Sequence, residues 1–287
     1  MRLLVTNDDG IGSEGIAVLA RHLDAAGHEV VIVAPDRNYS GSGAALGDLK
    51  PDSSLPVEQV AIDGLAHIES WALAGPPALT VVAARLGAFG PPPDLVVSGI
   101  NAGLNTGRSI LHSGTVGAAL TGQNFGLSGL AVSVDSGEQW HWDTAAIIAA
   151  SLIDQVAGGP PRSVINLNVP ARRLVDVEGI RWARLAGFGA VRAAMATRVG
   201  DEVQFELSGG HQPDPDSDQG TVEAGWASVT TLIGIAEAWP APRVDDGPDH
   251  DGFAIELDVA PGAPLHPVHR IPDASDHRSL RRPVPSA

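Results

Sequence analysis

The feature that most constrains the fold is the opening stretch of the chain, LLVTNDDGIGSEG at residues 3–15. An apolar run typical of a strand ends at two adjacent carboxylates, Asp8 and Asp9. A helical spacing of apolar residues follows, formed by Ile16, Leu19 and Leu23. This order predicts a strand, a turn and a helix, the unit from which open α/β sheets are built. Ligands of such sheets bind at the carboxyl ends of the strands, where the two aspartates lie.

The two aspartates suggest a metal site. Neighbouring strand residues point to opposite faces, so Asp8 and Asp9 converge on one ligand only where the chain has begun to turn, and Gly10 permits that turn. Adjacent carboxylates repel each other unless a cation lies between them, and a hard divalent ion such as Mg²⁺ or Mn²⁺ prefers oxygen ligands. The structural alternative is that Asp8 caps the next helix while Asp9 is solvated in a loop.

The same residues contain a second pattern, Gly10-x-Gly12-x-x-Gly15, which dinucleotide-binding folds place between a strand and a helix. Asp36, at the end of the next predicted strand, lies where such folds have the acidic residue that binds the ribose. A pyrophosphate at this turn would meet the aspartate pair, which repels it unless a metal neutralises the charge. An NAD(P)-dependent oxidoreductase is therefore kept as an alternative to a metal-dependent enzyme.

Composition narrows the range of partners. The chain has 287 residues, of which 44% are hydrophobic, and a formal net charge of −16. A field of that sign repels polyanions, so we expect a small-molecule substrate and no nucleic-acid-binding surface. Cysteine is absent from the sequence, which excludes disulfides, thiolate ligands and a cysteine nucleophile. We find neither a signal peptide nor an apolar run of membrane-spanning length, so we expect a cytoplasmic protein without membrane contact.

Polar loops follow two further predicted strands. The strand at residues 28–34 ends in a loop rich in serine and glycine, which contains Ser40. The strand at residues 94–98 ends in a loop with Asn101 and Asn105. Because both loops lie at the carboxyl ends of strands, we expect them to face the same crevice as the aspartates. A serine-glycine segment taken alone is typical of a flexible loop.

The segment Ser113-Gly114-Thr115 begins a predicted helix that runs to about residue 125. Free backbone amides and small hydroxyl side chains at a helix N-terminus bind anions such as phosphate. The structural alternative is an ordinary Ser or Thr cap. His112 comes directly before this segment and is either a proton donor or a packed neutral histidine, and the sequence leaves both open.

Strands and helices alternate through the first part of the chain, which predicts a Rossmann-like α/β core over residues 1–176. We expect a three-layer sandwich with a mostly parallel sheet. Residues 177–270 predict a β-rich extension used in oligomerisation, with a polar loop over 209–220. The strands predicted in this extension are at residues 179–185, 202–208, 227–232 and 253–259. Residues 271–287 show no periodicity and are predicted to be disordered.

An ordered set of short motifs gives the chain a family resemblance. They are LLVTNDDG at 3–10, APDRNYSG at 34–41, VSGINAGLN at 97–105, SGTVGAA at 113–119, AVS at 131–133, NLNVP at 166–170 and AGWASVTTL at 224–232. Together they resemble the stationary-phase survival protein SurE family of metal-dependent nucleotidases. The resemblance implies hydrolysis of nucleoside 5′- and 3′-monophosphates and, in some members, of polyphosphate. A non-catalytic nucleotide sensor with the same crevice is a further alternative.

The resemblance also implies site residues. One divalent metal ion per subunit would be held by Asp8, Asp9, Ser40 and Asn101, and the substrate phosphate would be received by Asn105, Ser113, Gly114 and Thr115. Asp8 or Asp9 would orient or deprotonate the attacking water, or one of them would form a covalent aspartyl-phosphate. The sequence leaves these two mechanisms open. A homodimer or homotetramer is expected.

Overall fold

The fold is organised around a nine-stranded sheet with the first strand near its centre. The computed structural model describes residues 1–50, 52–187, 193–207 and 213–236. The strands are β1 (Arg2–Thr6), β2 (Glu29–Pro35), β3 (Val57–Gln59), β4 (Glu69–Leu73), β5 (Leu95–Ala102), β6 (Ser128–Val134), β7 (Val164–Val169), β8 (Ile180–Trp182), β9 (Ala193–Val199), β10 (Glu202–Leu207) and β11 (Ala227–Leu232). The helices are α1 (Glu14–Ala25), α2 (Pro77–Arg85), α3 (Gly114–Asn124), α4 (Trp142–Gly158) and α5 (Asp218–Glu223).

The sheet has the strand order β3-β4-β2-β1-β5-β6-β7-β11-β8. The strands from β4 through β7 in this order are all parallel. β3 is antiparallel to β4, and β11 is antiparallel to β7. The predicted mostly parallel α/β sheet is therefore confirmed, and β1 lies between β2 and β5.

Helices cover both faces of this sheet. α1 and α4 pack together on one face, where Leu19 and Ile153 are fully buried. α2 and α3 pack together on the other face, around residues that include Val81 and Ala118. Because both faces are covered, central strands such as β1 are continuous apolar runs. The three-layer arrangement predicted from the alternation of strands and helices is confirmed.

The extension after residue 177 contributes to the same sheet. β11 pairs with β7, and β8 pairs in parallel with β11. β9 and β10 form a separate antiparallel hairpin. The predicted strand at 253–259 and the predicted disordered tail at 271–287 lie outside the described residues. None of the helices in the described part of the chain has the length and apolar character needed to cross a membrane.

Two predictions of loops were wrong in part. The loop predicted over 209–220 ends in a helix, α5, because the Ser217 hydroxyl accepts a hydrogen bond from the Gly220 amide at 3.1 Å and caps the first turn. The loop predicted to follow residue 98 begins later, because β5 continues to Ala102. Its register with β6 is interrupted between Ser98 and Asn101, so glycine and asparagine residues typical of loops lie within a strand.

Candidate active site

A closed turn follows β1 and fixes the direction of the chain at the aspartates. The Asn7 side-chain oxygen accepts from the Gly10 amide at 3.1 Å. The Asn7 side-chain nitrogen donates to the Gly10 carbonyl at 3.1 Å and to the Ser13 hydroxyl at 2.6 Å. Gly10 has a φ of 101°, a conformation that side chains disfavour. The turn that the aspartate pair requires is therefore present.

Asp8 is buried, with 3% of its surface exposed, and the start of α3 holds its carboxylate. The Gly114 amide donates to Oδ2 at 3.1 Å, and the Thr115 hydroxyl donates to Oδ1 at 2.5 Å. A Cβ atom at position 114 would lie 2.6 Å from the Cβ of Asp8, so only glycine permits this approach. The anion that this helix start receives in the structure is therefore the Asp8 carboxylate.

Ser113 lies at the N-cap of α3. Its hydroxyl accepts a hydrogen bond from the Val116 amide at 3.1 Å. The ordinary cap that the sequence left as an alternative is therefore present at this residue. Each Asp8 oxygen keeps a second lone pair, so the contacts from α3 orient the carboxylate without exhausting its capacity to bind a cation.

Asp9 is held by a longer side-chain contact than Asp8. The Asn38 side-chain nitrogen donates to its Oδ1 at a long distance of 3.3 Å. Burial raises the pKa of Asp9, the neighbouring Asp8 carboxylate raises it further, and a hydrogen bond from the Ala102 amide lowers it. A partly buried carboxylate beside a second carboxylate attracts a cation, because a cation offsets both the burial and the repulsion.

The predicted ligands Ser40 and Asn101 lie on the two sides of β1. Asn38 links Asp9 to the Ser40 loop, because its side-chain oxygen accepts from the Ser40 amide at 2.8 Å. Asn101 lies near the end of β5, the strand beside β1. Its side-chain nitrogen donates to the Gly103 carbonyl at 2.7 Å, which leaves the side-chain oxygen as the free acceptor.

Asn105 is held by polar side chains of β6 and β7. Its amide donates to Asn168 Oδ1 at 2.8 Å, and its carbonyl accepts from Asn166 and Asn168 at 2.8 and 2.9 Å. Its side-chain nitrogen donates to the Ser133 hydroxyl at 2.9 Å. All three partners are fully buried. The second N–H of the Asn105 side chain remains available to donate to a ligand.

Comparisons with known proteins agree with this geometry. The family profile described as Survival protein SurE matches residues 3–190. A 5′-nucleotidase SurE of Gloeobacter violaceus is 38% identical over 239 residues, which cover 81% of this chain and 89% of the relative. A 5′/3′-nucleotidase SurE of Erwinia tasmaniensis is 37% identical over 240 residues, which cover 81% of this chain and 90% of the relative.

The chain belongs to the SurE family. A solved structure titled as the SurE protein from Aquifex aeolicus superimposes with a TM-score of 0.68 at 28% sequence identity. It covers 83% of this chain and 95% of the Aquifex chain. The resemblance and the fold class predicted from the sequence are thereby confirmed.

In this SurE-family chain, some predicted site residues are in direct contact, and others are connected through a third residue. Gly114 and Thr115 each donate a hydrogen bond to Asp8. Asp9 and Ser40 are joined through Asn38. The hydrogen bonds described for Asn105 lead instead to β6 and β7.

Sequence reasoning missed the residues that support this site. Asn38, Ser133, Asn166 and Asn168 were not assigned roles, although three of them lie in the matched motifs APDRNYSG and NLNVP and the fourth in AVS. The available signal was the alternation of asparagines at 166 and 168 in an apolar strand. Alternate residues share one face of a strand, and a buried polar pair on one face requires a polar partner.

The donors at this site fit a hard divalent cation. They are the carboxylates of Asp8 and Asp9, the Ser40 hydroxyl and the Asn101 side-chain oxygen. Within the described ranges no group of three or more histidine, aspartate or glutamate side chains is arranged to hold a metal ion. A cation here would therefore combine the aspartate pair with uncharged oxygens. Burial and the Asp8 carboxylate raise the pKa of Asp9, and a cation would oppose both effects because it favours the charged carboxylate.

The structure argues against dinucleotide binding at the turn after β1. Three amides of the turn donate within the protein: Gly10 to Asn7, Ile11 to the Pro35 carbonyl at 2.9 Å and Ser13 to the Gly10 carbonyl at 3.1 Å. A pyrophosphate cradle needs amides of this kind to be free. The closed turn thus explains the glycine at position 10, the first of the pattern.

His112 ends a 3-10 helix, Gly107–His112, and its side chain is exposed. The packed-histidine alternative is therefore wrong. The His112 carbonyl accepts from the Gly43 amide at 3.1 Å, which ties the Ser40 loop to the start of α3. A role for the imidazole as a proton donor stays a prediction.

Proposed function

We propose that this SurE-family chain is a metal-dependent nucleotidase that hydrolyses nucleoside 5′- and 3′-monophosphates to nucleoside and phosphate. The observation that carries the proposal is the aspartate pair at the end of β1, with Asp8 oriented by the start of α3 and Asp9 left with few donors. The names of the two nucleotidase relatives support the substrate class. Polyphosphate is proposed as a secondary substrate on the family resemblance.

The residues of the chain have distinct tasks in this reaction. A divalent ion bound by Asp8, Asp9, Ser40 and Asn101 would supply charge stabilisation on the phosphoryl group and a more acidic water. Thr115 and Gly114 hold the Asp8 carboxylate in one orientation. Asp9, with the raised pKa, is placed to orient the attacking water and accept its proton. The second N–H of Asn105 donates to a phosphate oxygen.

Phosphate release from a panel of nucleoside 5′- and 3′-monophosphates tests the proposal. Wild type is assayed with EDTA and then with added Mn²⁺ or Mg²⁺, beside Asp9→Ala and the exposed control Asp63→Ala. We expect activity that EDTA removes, that metal restores, and that is lost in Asp9→Ala alone. Tight nucleotide binding without release under any metal would instead identify a sensor. Metal-independent binding of NAD(H) would favour the oxidoreductase alternative.

We also propose that the chain assembles as a homodimer or homotetramer through the β-rich extension. Its hairpin presents apolar side chains to solvent in the single chain, with Val203 54% and Phe205 67% exposed. A second copy would bury this surface. Light scattering at micromolar concentration should show an assembly for wild type and monomers for Phe205→Asp. A wild-type monomer would contradict the proposal. Cytoplasmic location is likewise proposed from the sequence.

A further inference from the structure

A buried carboxylate outside the aspartate pair joins the extension to the loop that follows β5. Asp218, the first residue of α5, has no exposed surface. Its Oδ2 accepts from the Gly107 amide at 2.8 Å, and its Oδ1 accepts from the Ala186 amide at 2.9 Å. The Gln219 amide also donates to Oδ1, at 2.9 Å. One side chain thus satisfies amides from two distant segments.

The Asp218 main chain is tied to the same part of the extension. Its amide donates to the Arg184 carbonyl at 2.7 Å, and Arg184 pairs with Asp214. Ala186 and Arg184 both follow β8, so two contacts anchor Asp218 there, and the Gln219 contact lies within α5 itself. The remaining contact, to Gly107, reaches out of the extension into the loop after β5.

Gly107 lies in the chain between two residues predicted to receive the phosphate, Asn105 and Ser113. It begins the 3-10 helix Gly107–His112, which runs from just after Asn105 to Ser113, the cap of α3. The main chain of Asn105 is held by β7, and the start of α3 holds Asp8. The contact from Asp218 therefore fixes the first residue of the segment that joins the two halves of the site.

The chemistry of these contacts requires a carboxylate. Both Asp218 oxygens act as acceptors toward backbone amides, so an amide side chain would turn a donor toward one of those N–H groups. Burial raises the pKa of Asp218, and the hydrogen bonds from Gly107, Ala186 and Gln219 lower it. The protein therefore retains a buried acid whose contacts are all directed at fixing the backbone.

We propose that Asp218 is a positioning residue for phosphate binding: it holds Gly107, the first residue of the Gly107–His112 segment, so that Asn105, two residues earlier, faces the phosphate. The proposal rests on the proposed nucleotidase function. Asp218 does not contact the substrate in this role, and it leaves the aspartate pair untouched. Asn101 is positioned independently, because it pairs with Ser133 in the sheet.

The test compares Asp218→Asn with Asp216→Asn, which makes the same chemical change at an exposed residue two positions earlier. With AMP and saturating Mn²⁺, we expect KM to rise about 10-fold in Asp218→Asn while kcat falls less than about 3-fold. The Mn²⁺ concentration for half-maximal activity should not change. Hydrogen exchange should accelerate in peptides that cover residues 103–112. Asp216→Asn should match wild type in all of these.

Faster loop exchange with unchanged KM would overturn the proposal, because Asp218 would then be structural only. Unchanged loop exchange would also overturn it. If wild type released no phosphate, the proposed function would fail, and calorimetry with inorganic phosphate would replace KM in the same comparison. If Asp218→Asn did not fold, wild-type amide exchange measured by NMR would decide. Because Asp218 accepts from both the Gly107 and the Ala186 amide, the proposal expects these two amides to exchange with the same free energy of opening. Different free energies of opening would contradict it.

Discussion

Asp9 and Asp218 are two acids whose pKa values burial raises, and their surroundings differ sharply. Asp218 accepts backbone amides from two distant segments at 2.8 and 2.9 Å. Asp9 has a long contact from Asn38 at 3.3 Å and one backbone hydrogen bond, from Ala102, and it lies beside the Asp8 carboxylate. Fixed backbone donors stabilise the first charge, whereas the second is left beside a like charge.

This difference distinguishes an acid that organises the protein from an acid whose surroundings favour a cation. A buried carboxylate that is fully provided with donors has little to gain from a cation. A carboxylate short of donors and beside another carboxylate gains charge neutralisation from one. The pKa is raised in both Asp9 and Asp218. The two acids are therefore distinguished by the hydrogen-bond partners of their oxygens and not by the direction of the pKa shift.

The largest expected effect is on catalysis at Asp9. Asp9→Asn keeps the shape of the side chain and removes its charge, so we expect kcat/KM for nucleoside monophosphates to fall about 100-fold or more. Steady-state phosphate release with saturating Mn²⁺ measures the effect, with Asp63→Asn as the exposed control. Activity within threefold of wild type would show that Asp9 is not part of the active site. The contrast drawn between Asp9 and Asp218 would then fail.

Asp218→Asn should lower the stability of the protein in addition to raising KM. One backbone amide in the interior would lose its acceptor, which costs about 2 kcal/mol of the free energy of unfolding. Urea unfolding measures this cost, and Asp216→Asn should stay within about 0.5 kcal/mol of wild type. If Asp218→Asn were more stable than wild type, the cost of burying the Asp218 carboxylate would exceed the gain from its amide contacts. Asp218 and Asp9 would then both be acids that destabilise the folded protein.

Thr115→Val tests whether the orientation of Asp8 matters for catalysis. The substitution keeps the side-chain shape and removes the hydroxyl that donates to Asp8 at 2.5 Å, so we expect kcat/KM to fall about 10-fold. Thr121→Val is the matched control, because that buried threonine lies on the same helix and donates to the Gly117 carbonyl. Equal losses in both variants would attribute the effect to the helix.

The smallest expected effect is a pH-dependent difference in stability without metal. Because its pKa is raised in the folded protein, Asp9 binds its proton more tightly there than in the unfolded chain, where the value is 3.8. Stability therefore falls as pH rises from 3.8 through the folded pKa, and the loss is complete above it. Asp9→Asn removes this loss.

With EDTA present, the Tm of Asp9→Asn should exceed that of wild type by about 2 °C at pH 7, and the difference should shrink toward pH 4. Differential scanning calorimetry across this range checks it. Added Mn²⁺ should reverse the order, because wild type alone keeps both carboxylates. A difference that grows toward pH 4 would show that the sign of the shift at Asp9 is wrong.

The sequence predicted that Asp8 and Asp9 lie at a turn after a buried strand, because the determinants of that turn are local. A buried strand, two carboxylates and a glycine occur within residues 3–10, and parallel topology brings the ends of β2 and β5 to the same edge. Asp218 could not be predicted in this way. Its partner Gly107 is 111 residues distant, and its own neighbourhood, DPDSD, is typical of a solvated loop.

The same limit applies to Asn105 and to the order of the sheet. The loop asparagine was identified, but its partners Asn166 and Asn168 lie 61 and 63 residues away. The alternation of strands and helices predicted the parallel part of the sheet. It did not predict that β11 lies between β7 and β8, because short strands carry no information about which edge they join.

The position of β11 has a consequence for the newly made chain. The edge of β7 stays open on the ribosome until residues 227–232 have emerged, several seconds after β7 itself at ordinary rates of translation. During that interval an apolar strand edge is exposed to other chains, and Asp218 has not yet reached Gly107. In the newly made chain the aspartates are therefore synthesised first, and the contact that fixes Gly107 forms only after residue 218 has emerged.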